Sequence, residues 1–143
     1  MKLDFSKIFR KLSPKANRIY HDKNRLNSLI KEGMKLLFSN KAFADLIDDI
    51  KIALQLIKSY YKGEYRAVSK KNIIMIIIGF IYLVNPMDVV PDFLLGGFID
   101  DAAVFAYIIK LIHNELASFT LWKSKLDLNE STIEADEEDY EID

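Results

Sequence analysis

The residues best suited to chemistry are four carboxylates within a 14-residue window, Asp88, Asp92, Asp100 and Asp101, set in an otherwise apolar stretch. Hard oxygen ligands of this kind, brought to one point, suit Mg²⁺, Ca²⁺ or Mn²⁺ and would leave a bound water for hydrolysis. The same residues have a structural reading, which is the leading one. Asn85 ends the preceding helix, Asp88 and Asp92 fit turns in which Pro86 and Pro91 remove donors, and Asp100 and Asp101 fit a helix start, whose free N–H groups attract negative charge. A carboxylate pair in apolar surroundings also holds its protons more tightly, which would permit a proton-linked or cation-linked role at a membrane. No resident cofactor is expected on the structural reading; Mg or Ca belongs to the alternative.

Other chemistry is excluded more firmly. The chain has no cysteine, which removes disulfides, Cys-ligated zinc, iron–sulfur clusters and thiol nucleophiles together. His113-Asn114-Glu115 has the H-x-E look of a zinc deaminase, but that site needs two cysteines. Neither H-E-x-x-H, a phosphate-binding glycine loop nor a G-x-S-x-G elbow occurs. An enzyme is therefore disfavoured.

The elements that must position the carboxylates are helical. Half of the 143 residues are apolar and glycine and proline together number eight, a composition that disfavours disorder and turn-rich β folds. Leu26, Leu29, Ile30, Gly33, Leu36 and Leu37 form the inward face of a helix expected over about 22–38. A further helix, capped by Ser39 or Asn40, carries Phe43, Leu46, Ile47, Ile50, Leu54, Ile57 and Tyr61 on one stripe before Gly63 stops it. Asp45, Asp48 and Asp49 read as a solvated face rather than a metal site. From Ile73 to Val84 the chain is apolar on every side, so that helix is buried in protein or lipid. Twelve residues at about 1.5 Å rise reach about 18 Å, short of the roughly 30 Å hydrocarbon core. The next apolar stretch, residues 93–112, is long enough but is interrupted by Asp100 and Asp101. The two stretches, joined by residues 85–92, read as a helical hairpin.

That hairpin resembles a known family. Tyr61-Lys62-Gly63-Glu64-Tyr65-Arg66, then Tyr82-Leu83-Val84-Asn85-Pro86-Met87-Asp88-Val89-Val90-Pro91-Asp92-Phe93, then Gly97-Phe98-Ile99-Asp100-Asp101-Ala102-Ala103-Val104, with Leu116, Phe119 and Trp122, are similar to the bacterial YkvA-like family. Its hallmark is P-x-D-x-x-P-D followed by G-x-x-D-D, and the resemblance covers about residues 60–123. It implies a small, mostly helical domain of unknown biochemical function whose members are often described as membrane proteins. Asn85 stands where Ser is common, and Ser69 near a usual Pro; the second exchanges one helix-start residue for another.

Charge is unevenly spread. Residues 1–41 hold eleven Lys/Arg against three acids, a net of +8; residues 42–126 balance nine against nine; residues 127–143 hold nine acids and no base. The acidic end has too little apolar surface to offset its ordering entropy and is expected to be a disordered tail. At the other end no apolar signal-peptide core is present. Leu3, Ile8, Phe9 and Leu12 recur near helical spacing with Lys2, Lys7, Arg10 and Lys11 around them, and Ser13-Pro14 is expected to end the segment. Such a helix either lies on an anionic lipid surface or packs its stripe on the domain. Nucleic acid is disfavoured, because no recognisable nucleic-acid-binding motif accompanies the charge.

The expectation is an all-α fold, a small bundle of about five helices with a central apolar hairpin. It divides into a basic amphipathic region (1–41), a helical core (42–126) and the acidic tail. The leading functional reading is a non-enzymatic module at the cell membrane or its cytoplasmic face, with a lipid surface as partner. The alternatives are a divalent-metal-dependent hydrolase using the four aspartates and an adaptor that binds a protein partner.

Overall fold

The computed structural model describes residues 5–84 and 101–129, which form six α-helices and one short 3-10 turn, with no strand among them. The all-α expectation holds, with six helices rather than about five.

Helix α1 runs Phe5–Tyr20 and continues through Pro14, where an end was expected. The break is avoided because the proline lies on the exposed face, where water can serve the Arg10 carbonyl that loses its N–H donor. One residue earlier, the Ser13 hydroxyl donates to the Phe9 carbonyl at 2.6 Å. Ile8, Leu12, Ala16 and Ile19 follow at steps of four, four and three and are all buried, the spacing of a single helix face.

Helix α2 spans Lys23–Ser39, and Asp22 caps it by accepting from the Arg25 N–H at 3.2 Å. Its inward face is Leu26, Ile30, Gly33, Met34 and Leu37. Leu36, expected inside, is exposed and Met34 takes the inward place. Asn40 then starts a 3-10 turn, Lys41–Phe43, its side chain accepting from Ala42 N–H at 2.9 Å. The following helix was expected to start here, but the tight turn instead drives Phe43 into the core, edge-on to Phe105 at 6.0 Å. Helix α3 therefore begins later, at Ile47, and runs to Tyr61.

Gly63 ends α3 as the spacing suggested. Its φ of +80° is open to glycine at little cost, and the Gly63 and Glu64 N–H groups reach back to the carbonyls of Tyr60 and Ser59 at 3.1 and 2.9 Å. Helix α4, Lys70–Val84, has Ser69 as its cap: the Ser69 hydroxyl accepts from the Asn72 N–H at 3.3 Å. Helix α5, Asp101–Leu111, and helix α6, His113–Asn129, are separated by a bend of 68° around Ile112.

α4 is the axis of the molecule, with α1, α2 and α5 packed around it, while α3 lies on α6. Every residue from Met75 to Leu83 is buried within the protein, so the all-round apolar sequence of this helix is explained by protein packing. Two glycines set how closely its neighbours approach. A Cβ at Gly33 of α2 would run into the Phe80 ring, and one at Gly79 would come within 3.0 Å of Ile108 and 3.1 Å of Phe105 on α5. Phe80 in turn packs edge-on to Phe105 at 5.4 Å. No single described helix is long and apolar enough to cross a membrane; the bent pair Ala102–Leu111 and His113–Leu126 meets that test jointly, by length and composition.

Candidate functional site

The carboxylate motif falls between α4 and α5 in the chain. Asn85, Pro86, Asp88, Pro91, Asp92 and Asp100 lie outside the described residues, as does the side chain of Asp101, whose backbone opens α5 as expected of a helix-start residue. Among the described residues no group of three or more His, Asp or Glu is placed to hold a metal ion.

The basic amino-terminal residues divide by chemistry. Lys2 and Leu3 lie outside the described residues; Lys7, Arg10 and Lys11 are exposed along α1. The apolar stripe packs on the domain: Ile8 is fully buried and Leu12 nearly so, and Phe9 is half-buried with its ring stacked on Tyr107 at 6.2 Å. The apolar half of an interfacial helix is thus engaged in the protein's own core, and only the charged half faces outward.

A second constellation forms where the carboxyl ends of α1 and α3 meet the amino ends of α2 and α4. The Tyr20 and Tyr60 hydroxyls share a hydrogen bond of 2.5 Å, and the Tyr61 hydroxyl donates to the Tyr20 carbonyl at 2.5 Å. Each ring carries a cation over its face. Lys70 Nζ lies 4.9 Å from the Tyr20 centroid, the Arg66 guanidinium carbon 5.0 Å from Tyr60, and Lys23 Nζ 6.0 Å from Tyr61, all within reach of the ring quadrupole. His21 packs edge-on to Tyr20 at 4.9 Å. Tyr20, His21, Lys23, Tyr60, Tyr61 and Arg66 line a recess of about 440 Å³. Burial, aided by the Tyr60 hydrogen bond, pushes the Tyr20 phenol up to about 12, and burial raises Tyr61 as well, with the neighbouring phenols adding to it. Both therefore keep their phenolic protons at ordinary pH.

Tyr60, Tyr61 and Tyr65 are close in the chain, but tertiary packing divides them. Tyr65 leaves for the α6 aromatics, 5.2 Å from Phe119 and 5.0 Å from Trp122, and Tyr20 arrives from 40 residues away. Glu115 was also missed. Its carboxylate accepts from the Ser69 N–H at 2.7 Å and from the Asn72 side-chain amide, tying α6 to the start of α4. Ser69 was legible in the sequence as a helix-start residue; Asn72 and the distant acid that complete the start were not.

An all-helical protein built round a helix buried along most of its length, with an aspartate-rich connection between that helix and the next, is the class defined so far. A family model described as Protein of unknown function (DUF1232) matches residues 72–107, which takes in most of α4, the connection and the first half of α5. Over 92 residues the chain is 34% identical to the Uncharacterized membrane protein YkvA of Bacillus subtilis, covering 64% of this chain and 87% of that protein. The chain belongs to the YkvA-like family. No solved structure matches it.

Proposed function

We propose that this chain is a non-enzymatic helical module that associates with the cytoplasmic face of a membrane. The observation that carries this reading is the bent α5–α6 pair, on which Leu111, Leu121 and Leu126 are 46%, 59% and 40% exposed. The same pair has the length and composition of a broken span. Large aliphatic side chains left in water on helices of that character favour transfer to an apolar phase, each by up to about 1.5–3 kcal/mol if fully buried. The name of the B. subtilis relative, a membrane protein, supports the same reading, and the exposed Lys7, Arg10 and Lys11 would add attraction to anionic lipid.

Fractionation of the expressed full chain tests it. The expected result is sedimentation with membranes at low salt and release at high salt, where the screening length falls to about 3 Å. Pelleting that resists carbonate would assign insertion, with the α5–α6 pair as the inserted part. A monomer that stays in the supernatant at every ionic strength overturns membrane association.

A further inference from the structure

The tyrosine-lined recess has a composition that structural packing does not require. Lys23, Arg66 and His21 line it and Lys70 stands over one of its rings, and among the described residues no acidic side chain lines it. The nearest acid in the chain, Asp22, has an oxygen committed to the Arg25 N–H that starts α2. Arg66 and Lys70 lie over ring faces, which attract a cation without neutralising it. The amino ends of α2 and α4 lie at the same place, adding their partial positive charge.

The hydroxyls supply a donor as well. Tyr20 and Tyr60 have two protons and share one hydrogen bond; whichever accepts has its own proton left over, with no acceptor for it among the described residues. A recess of about 440 Å³ that offers the Arg66 and Lys70 charges, one spare phenol proton and aromatic walls is complementary to a small, doubly charged oxyanion.

We propose that the recess formed by Tyr20, Tyr60 and Tyr61 with Arg66 and Lys70 binds a phosphomonoester group. Arg66 supplies the planar fork that matches two phosphate oxygens, Lys70 supplies point charge, and the Tyr20–Tyr60 pair donates the remaining hydrogen bond. The group can belong to a lipid headgroup or to a soluble ester. The site stands independently of membrane attachment, since its chemistry is complete in this chain.

The full chain is titrated with glycerol 3-phosphate by calorimetry, and separately floated with phosphatidylcholine vesicles, plain or carrying phosphatidic acid or phosphatidylglycerol. Saturable binding of glycerol 3-phosphate or capture by phosphatidic acid is expected, weakened about tenfold by Arg66→Gln and further by Arg66→Gln with Lys70→Gln. Both side chains are exposed, so unchanged thermal transitions will show that the variants fold. Tyr60→Phe keeps the ring and removes the shared proton, and weakens binding several-fold. The Lys7→Gln/Lys11→Gln variant on α1 retains recess binding. Phosphatidic acid capture competed by glycerol 3-phosphate assigns the headgroup; saturable binding in solution without capture assigns a soluble ester. Saturable solution binding by a protein that never sediments with membranes upholds the recess while overturning membrane association. Absence of saturation with either probe overturns the proposal, as does binding that the Arg66 and Lys70 variants leave unchanged.

Discussion

Neutral phenols at the junction of α1 and α3 make the fold sensitive to alkali. The Tyr20 pKa of about 12 lies above the unfolded value of about 10, and Tyr61 is raised in the same direction. The folded state therefore holds its phenolic protons longer than the unfolded one, so this contribution is fully present below about pH 10 and is lost as pH rises through the folded values. Urea unfolding at pH 9 and pH 11 is expected to show a larger loss for wild type than for Tyr20→Phe; equal losses would mean that these phenols ionise without cost to the fold. The aspartates of the connection belong to the same scale. If they cap turns and helices separately, Asp88→Asn and Asp101→Asn each cost less than the 0.5–2 kcal/mol or so of a deleted cap, because Asn keeps an accepting oxygen. The cost is then the same with and without millimolar Mg²⁺ or Mn²⁺. A wild-type thermal shift on adding the cation, absent in both variants, would favour the metal alternative.

At the level of elements, α4 is held by close approach as much as by apolar area. Gly33 lets α2 come down on Phe80, itself fully buried and backed by Phe105, so the ring has nowhere to move. Gly33→Ala should improve helix propensity by about 1 kcal/mol and yet lose more through overpacking, of the order of 1–3 kcal/mol. The expected net result is a lower midpoint in denaturant with an unchanged slope. A midpoint that rises would show that the α2–α4 contact is looser than drawn. The interruption at Ile112 has a further consequence, since it turns one long apolar stretch into two helices bent by 68°. That bend allows α6 to reach α3, where Lys123 Nζ donates to Gln55 Oε1 at 2.7 Å.

For the whole molecule the dominant feature is its charge separation, +8 over residues 1–41 against nine acids and no base over residues 127–143. Helix α6 extends to Asn129, so a truncation that tests the tail begins after it. Removing residues 130–143 is expected to leave the thermal transition essentially unchanged, because a charged, apolar-poor segment makes few buried contacts. A fall of several degrees would indicate that the acidic segment docks, with the exposed cations of α1 as its natural receiver. The same truncation should strengthen attachment to anionic vesicles by relieving like-charge repulsion, with a gain that shrinks as salt is added.

The sequence alone determined what depends on local spacing and composition. The helical class, most of the stripe of α2, the Gly63 stop, the serine start of α4 and the burial of that helix's apolar run could each be read from periods, caps and composition, because such signals act within a few residues. Helix boundaries that depend on partners were not legible. Pro14 is tolerated because its face happens to be solvent, and the residues after Asn40 give up a helical turn so that Phe43 can meet Phe105 across more than 60 positions. The YkvA-like membership was likewise legible, since a motif of fixed spacing is a property of the chain. Whether α4 is surrounded by protein or lipid, which tyrosines meet, and which cations stand over them were decided only by tertiary structure. Those outcomes depend on contacts between residues far apart in the chain, and no local preference encodes them.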